Sequence, residues 1–380
     1  LVGVVVTVVI QSNLLGTAKT AGDKYKTAYE DESNMSEVTI NGEKYASIED
    51  YLESIKPLPE GAGKRFTETK EYNDGTKTAW IPAGFTVSGI NSETKVDGGL
   101  VIYDIPENEI ENVKWDGTEK TKYNQFVWIP VAVNKATDTE TSIASFYRSE
   151  WADNARTLST YFYFYTEPYS YDKTNDYDTS TGIKSQIENL TKSIYKYGGF
   201  YIGRYEAGSE TERKSSSGKT AIGIKQDMYP YNFVKWGESM SDIGTIGAVA
   251  LSNSLYNSSN YGATSMLCTG ACWDSMLDFI KDTKNVTNST EWGNYNDAEF
   301  KITRGSYAER ENYFLGSFTA VEGTYKLYSV SNKDILLTTG ATERNSAKNI
   351  YDVAGNCLEL TTESYSSDRR VVRGRPIPWL

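Results

Sequence analysis

The strongest constraint on the fold lies near the end of the sequence, where Asp352-Val-Ala-Gly-Asn356 precedes the strand-like run Cys357–Glu363. The alanine and glycine allow two backbones to approach closely, and asparagine tolerates left-handed backbone angles. The pattern predicts a tight turn followed by a strand. Glu359 lies on that strand, where its carboxylate is expected to bond Arg373 or the local backbone. An alternative interpretation is an oxygen-rich calcium site that uses Asn356 and Glu359.

Charge and histidine content restrict the chemistry. The chain has no histidine, and its 51 acidic and 39 basic residues give a formal net charge of −12. Histidine is the usual general base and the commonest zinc ligand, so an enzyme would have to use carboxylates, Tyr, Lys or Cys. An acidic chain without a basic stripe is repelled by phosphate backbones, which argues against nucleic acid as a partner.

Length and aromatic content point to more than one unit with much β structure. A chain of 380 residues predicts two or three units. Its 29 Tyr, 8 Trp and 12 Phe are typical of β-rich extracellular surfaces. A half-buried sheet surface and a binding surface both explain the tyrosines. For the aromatic run 161–165 a buried strand edge is the favoured interpretation.

The N-terminal residues form an apolar segment that continues into an amphipathic one. The first ten residues are nearly all apolar, whereas crossing a bilayer takes about 20. Further on, small and aromatic residues recur at three- and four-residue spacing, which predicts a helix. We therefore expect residues 1–34 to form an extended helix. The side chains expected to face a membrane or a filament core are Leu1, Val4, Val5, Val8, Val9, Leu14 and Leu15.

This N-terminal pattern resembles the N-terminal helix of type IV pilin-like proteins. The family's processing site and its acidic residue near the mature N-terminus are not visible in the sequence. The resemblance implies self-association through the helix, with the chain in a membrane before assembly and outside the cell afterwards. A signal-peptide remnant and a simple stalk anchor remain as alternatives.

Residues 35–123 are predicted to form a small β-rich domain. The segment 38–59 predicts a strand, a hairpin turn at Asn41-Gly42 and a short helix. Between residues 66 and 133, turn signals such as Asn73-Asp-Gly75 separate short apolar segments. The boundary near 123 is placed by the motif that follows, and one core continuous across it is the alternative.

Six motifs from residue 124 onwards occur in the order found in the formylglycine-generating-enzyme, or sulfatase-modifying-factor, family. They are FVWIP (126–130), GGFYIGRYEAG (198–208), YPYNFVKWGESM (229–240), MLCTGACWDSMLDFI (266–280), NIYDVAGNCLELTTE (349–363) and RVVRG (370–374). The resemblance implies an α+β chain in which residues 124–380 form a C-type-lectin-like domain of twisted, irregular β-sheet with two helices. It also implies a strand carrying Glu206 and a helix that opens with Trp273 and Asp274, which are expected to determine the fold.

The departures from this family concern its chemistry. The enzyme's oxidation of a substrate cysteine depends on copper and on two active-site cysteines after the R-G-G motif, where this sequence reads RGRPIPWL. The motif's second glycine is Arg375 here, and its two tryptophans are Leu358 and Leu360. We therefore expect no catalytic residue and no cofactor, with calcium as the one open exception.

The three cysteines are too few for a disulfide scaffold. They are Cys268, Cys272 and Cys357. The resemblance brings the elements that carry Cys272 and Cys357 close together, so a disulfide between them is one hypothesis. A Cys268–Cys272 link and plain buried thiols are the alternatives.

Three functional hypotheses follow. In the first, the chain is a non-catalytic extracellular filament subunit that displays residues 35–380 as a head for assembly or adhesion. In the second, it is a membrane-anchored adhesin or display protein that binds a protein or glycan and does not polymerise. The third, a formylglycine-generating oxidase, is opposed by the missing histidines and cysteine pair.

Overall fold

The structure is a computed structural model that describes most of the chain. The described residues are 38–40, 43–45, 48–115, 119–146, 182–215, 220–237, 246–256, 261–295, 299–311, 314–321, 326–329, 334–366 and 369–374. The predicted N-terminal helix and the aromatic run 161–165 lie outside them. The chain divides into two compact units, residues 1–57 and residues 58–380, each described separately below.

The described residues of the first unit form a hairpin and a helix. Strand β1 (Val38–Ile40) pairs antiparallel with β2 (Glu43–Tyr45), and helix α1 (Ile48–Ser54) follows. The predicted strand and short helix are confirmed, and the predicted turn at residues 41–42 lies outside the described residues. Ile48, Leu52 and Ile55 are exposed although they are apolar. Their spacing places them on one side of this helical segment.

The second unit begins with a hairpin that is fixed by one aspartate. Strand β3 (Lys70–Asn73) pairs antiparallel with β4 (Thr78–Ile81). In the turn, Asp74 accepts hydrogen bonds from the backbone N–H groups of Thr76 (2.7 Å), Lys77 (2.8 Å) and Val96 (2.8 Å). Burial alone would raise the pKa of Asp74, but these donors stabilise the carboxylate and lower the pKa to about 2.

A four-stranded antiparallel sheet forms the centre of the unit. Its order is β5 (Thr86–Val87), β6 (Val101–Tyr103), β7 (Gln125–Pro130) and β8 (Gly199–Gly203). Because side chains alternate along a strand, Val127 and Ile129 pack into the main core while Phe126 and Trp128 contact an aromatic cluster on the other face. The strand predicted from FVWIP is confirmed.

Three helices pack into the main core. They are α2 (Ile183–Tyr197), α3 (Ala248–Leu255) and α4 (Gly270–Ile280). Helix α4 begins at Gly270, with Thr269 as its N-cap, three residues before the expected opening at Trp273, and it buries Trp273 and Asp274. The family resemblance predicted two helices, whereas three helices pack into this core. Helix α2, which the sequence analysis did not predict, buries Ile183, Ile187 and Ile194.

The remaining strands form small antiparallel sheets, so the described chain is α+β as predicted. Strand β9 (Gly208–Ser209) pairs with β10 (Tyr229–Pro230), β11 (Glu299–Ile302) with β15 (Lys326–Ser329), and β17 (Glu359–Ser366) with β18 (Arg369–Arg373). Strand β12 (Ser306–Glu311) pairs with β13 (Phe314–Leu315), β14 (Thr319–Ala320) and β16 (Asp334–Leu337). None of the described helices is long and apolar enough to cross a membrane.

The domain boundary predicted near residue 123 falls inside the second unit, so residues 58–123 of the proposed 35–123 domain share one unit with residues 124–380. Strand β6 precedes this boundary and pairs with β7 after it, placing Ile102 opposite Phe126. The Nδ2 atom of Asn349 also donates to the carbonyl of Gly99 over 2.8 Å. One core continuous across residue 123 is what the structure contains.

Candidate functional site

The turn predicted at residues 352–356 forms, and it is buried against another segment. Asp352, Gly355 and Asn356 have left-handed backbone angles, with φ of 61°, 85° and 62°. A Cβ added to Gly355 would lie 2.0 Å from the carbonyl oxygen of Asn294. Glycine is therefore required at this position by the backbone angle and by the close approach of a second chain segment.

The Asn356 side chain holds this turn in place. Its Oδ1 accepts from the backbone N–H of Leu337 (2.8 Å) and from Nδ2 of Asn294 (3.1 Å). Its Nδ2 donates to Oε2 of Glu206 (2.8 Å) and to the carbonyl of Leu337 (3.2 Å). Both lone pairs of the amide oxygen are thus occupied by hydrogen bonds within the fold, and calcium ligation by Asn356 would require the loss of at least one of them.

Glu206 lies beside this amide, after the end of β8 rather than on the predicted strand. Its other oxygen, Oε1, accepts from the backbone N–H of Cys357 over 3.1 Å. Burial and the nearby carboxylate of Asp352 raise the pKa of Glu206 well above its ordinary value. Burial likewise raises the pKa of Asp352 to about 7, although its carboxylate accepts a hydrogen bond from the N–H of Gly340.

Glu359 completes a group of three acidic side chains, and Arg373 is not its partner. The two residues are opposite each other in register, but Nε of Arg373 donates to Oε2 of Glu363 over 2.7 Å. Within the described residues, Oε2 of Glu359 accepts no hydrogen bond. Burial, then Glu206 and Asp352, raise the pKa of Glu359 well above its ordinary value.

The three cysteines, all in the described part of the chain, are not joined by a disulfide. The predicted Cys272–Cys357 bond is therefore absent from the structure, because the two side chains have different surroundings. Cys272 packs in the main core from the first turn of α4. Cys357 lies among the acidic side chains, and burial together with Glu206 and Glu359 raises the pKa of its thiol well above the ordinary value.

A second buried polar cluster, missed by the sequence analysis, surrounds Arg204. Its Nη1 lies 2.8 Å from Oε1 of Glu93 and donates to Oε1 of Gln125 over 3.0 Å. The other Glu93 oxygen accepts from the hydroxyls of Ser88 (2.6 Å) and Tyr103 (2.8 Å). A buried ion pair needs such additional hydrogen bonds to offset the loss of hydration. The polar side chains of both buried clusters therefore bond one another and stabilise the fold.

The surface candidate is a shallow groove at the C-terminal end of α2, which we call the lysine groove. Its volume is about 420 Å³, and it is lined by Lys135, Glu140, Lys192, Ser193, Tyr195 and Lys196. Lys135 reaches it from the loop after β7, where its Nζ donates to the carbonyl of Tyr195 and lies 3.6 Å from the centre of that ring. The groove combines three ammonium groups with one carboxylate and two hydroxyls.

These positions fit an anionic, hydroxylated ligand better than a metal. Among the residues that the structure describes, no group of three or more Cys, Asp and Glu side chains is placed to hold a metal ion. Lysine ammonium groups bind anions as point charges. Lys192 and Lys196 are four residues apart in the sequence, but no pattern in the sequence indicates that the loop of Lys135 lies beside them.

Comparison with protein-family models, curated proteins and solved structures finds no match to this chain.

Proposed function

We propose that the chain is a non-catalytic extracellular surface protein. It is a pilin-like subunit that assembles through its apolar N-terminal segment, residues 1–34, and displays a head with a C-type-lectin-like fold for assembly or adhesion. Before assembly the same segment holds the chain in a membrane.

The observation that carries this proposal is the burial of the motif's polar side chains. Asn356 bonds Glu206, Asn294 and Leu337, which come from three other segments of the chain. These groups bond one another instead of facing a substrate, so they fasten the head together. A rigid head of this kind suits a displayed subunit, because its surface loops stay available for binding.

The environment of Cys357 argues against the oxidase alternative. A reactive cysteine needs a lowered pKa, since the thiolate is the reactive form. Here burial and the neighbouring carboxylates of Glu206 and Glu359 raise the pKa of the thiol. Such a group is suited to packing and unsuited to redox chemistry.

The lysine groove favours a second candidate function, a membrane-anchored adhesin that does not polymerise. Ligand binding in the groove requires only that the head is displayed, whereas the pilin-like proposal also requires self-association of residues 1–34. The two candidates share the head and differ in what the N-terminal segment does.

Negative-stain electron microscopy of the native, undenatured protein separates the two candidates. The filament proposal expects regular filaments of uniform width. The variant Val8→Asp places a charge in the apolar run and is expected to abolish them, because an unpaired charge is costly in an apolar interface. Thr17→Asp, outside that run, is the matched control and is expected to leave filaments intact. Isolated particles from the unaltered protein would contradict the filament proposal and favour the anchored adhesin.

A further inference from the structure

We propose that the lysine groove binds an acidic polysaccharide, a glycan chain that carries carboxylate or sulfate groups. This inference rests on the proposed function in one respect, namely that the head is displayed for adhesion. It adds the location of the binding site and the chemical class of the ligand.

The local charge of the groove is opposite to that of the whole chain. Within the part of the chain that the structure describes, no carboxylate lies within ion-pair distance of Lys135, Lys192 or Lys196. Glu140 and the negative end of the α2 dipole, worth about half a charge, offset only part of three positive charges. The groove thus remains cationic on a chain of formal charge −12, which concentrates anions there.

The arrangement of the lysines suits a repeating anionic chain. Lys192 and Lys196 are four residues apart on α2, so their Cβ atoms are about 5–6 Å apart on one helix face. Both side chains are exposed. Lys135 is held on the far side by the ring and carbonyl of Tyr195. The volume of about 420 Å³ falls within the range of about 300–1,000 Å³ usual for ligand sites.

The other groups in the groove favour a glycan over a nucleic acid. Glu140 and the hydroxyl of Ser193 can hydrogen-bond sugar hydroxyls. The same carboxylate repels carboxylate, sulfate and phosphate groups alike, so the preference for a glycan comes from the hydroxyl groups of its sugars. Single-stranded nucleic acids gain affinity by stacking bases on aromatic faces. The Tyr195 face is covered by Lys135, with Nζ 3.6 Å from the ring centre.

The test measures binding of the full chain to immobilised polygalacturonate and heparin oligosaccharides by biolayer interferometry. Uncharged dextran and single-stranded DNA serve as comparison probes. The double variant Lys192→Glu and Lys196→Glu is expected to weaken binding of at least one acidic glycan by about tenfold or more. Added salt is expected to weaken binding by the unaltered protein, because it screens exposed charges.

The matched control changes the same charge elsewhere on the surface. Lys64 and Lys70 are both exposed, and the double variant Lys64→Glu and Lys70→Glu is expected to retain binding. The proposal is overturned if the unaltered protein binds neither acidic glycan, if both double variants lose affinity equally, or if DNA binds the groove as tightly. Electron microscopy of the same samples separates this outcome from the filament proposal, since glycan binding without filaments would reject polymerisation alone.

Discussion

The side chain of Asn356 donates and accepts at once, and aspartate cannot replace it. In an Asn356→Asp variant the Nδ2 donor to Oε2 of Glu206 is lost, and another acidic group is buried across the original 2.8 Å. We expect the free energy of unfolding to fall by about 3–5 kcal/mol, the usual cost of a buried charge without a partner. Urea denaturation followed by tryptophan fluorescence measures this change.

Asn285→Asp is the matched control, because Asn285 is exposed and uses only its acceptor. Its Oδ1 accepts from the N–H groups of Thr287 (3.1 Å) and Asn288 (3.0 Å), which a carboxylate also does. This variant is expected to stay within about 0.5 kcal/mol of the unaltered protein. Equal stability of the two variants would show that the buried network does not hold the fold.

The turn around Asn356 was predictable, whereas its partners were not. Ala, Gly and Asn in one short run indicate a tight left-handed turn from local chemistry alone. Glu206, Asn294 and Leu337 come from other parts of the chain, so only the folded topology identifies them. The same holds for Arg373, whose register partner is Glu359 while its hydrogen-bond partner is Glu363.

Two glycines in turns separate backbone strain from close packing. Gly355 and Gly75 both have positive φ, 85° and 95°, so alanine is strained at either position. A Cβ at Gly355 would lie 2.0 Å from the Asn294 carbonyl oxygen, whereas a Cβ at Gly75 meets nothing within 4 Å. We expect Gly75→Ala to cost about 1–2 kcal/mol. Gly355→Ala should cost more by several kcal/mol, on the order of a severe core disruption.

Thermal and urea unfolding of the two alanine variants, under one set of conditions, measures the difference. A similar cost at both positions would mean that the close approach of Asn294 relaxes without penalty. It would then leave the left-handed backbone as the reason for glycine at position 355.

Short-range signals predicted some elements and missed others. The first hairpin with its helix follows from turn residues and a short helical pattern, whereas the FVWIP strand and helix α4 were expected from the order of the six motifs. Helix α2 was missed although Ile183, Ile187 and Ile194 recur at helical spacing. The sequence before this helix is polar and rich in Tyr and Thr, and that composition obscured the period of the isoleucines.

The contacts across residue 123 make residues 58–380 one body. The buried pair of Arg204 and Glu93 joins β8 to the short helical turn Asn91–Glu93. No local pattern could predict this pair, because neither residue's neighbours in sequence indicate a buried charge. The boundary was drawn where a motif began, but a motif marks a conserved chemical pattern and gives no information about where the core ends.

The three acidic side chains Asp352, Glu206 and Glu359 give the stability of the protein a pH dependence with a definite sign. Burial raises the pKa of Asp352 from its ordinary value of 3.8 to about 7. The folded state therefore retains a proton that the unfolded chain releases above pH 3.8. This group's contribution to stability is complete below that value and is lost as the pH rises towards 7. Glu206 and Glu359, with raised pKa values, act in the same direction.

We therefore expect the protein to be more stable near pH 5 than near pH 7. One such carboxyl group gives a slope of about 1.4 kcal/mol per pH unit between its two pKa values. The groups facing Asp352 are Arg304, which lowers its pKa, and Glu343, which raises it.

Asp352→Asn removes the titrating group but keeps an oxygen for the N–H of Gly340, so its stability should vary less with pH over this interval. Asp278→Asn, at an exposed position, should leave the slope unchanged. Asp74 titrates near pH 2, outside the interval. Urea midpoints measured at half-unit steps from pH 4 to 7 provide the test. Stability that rises across this range in the unaltered protein would show that the three carboxyl groups are ionised inside the fold.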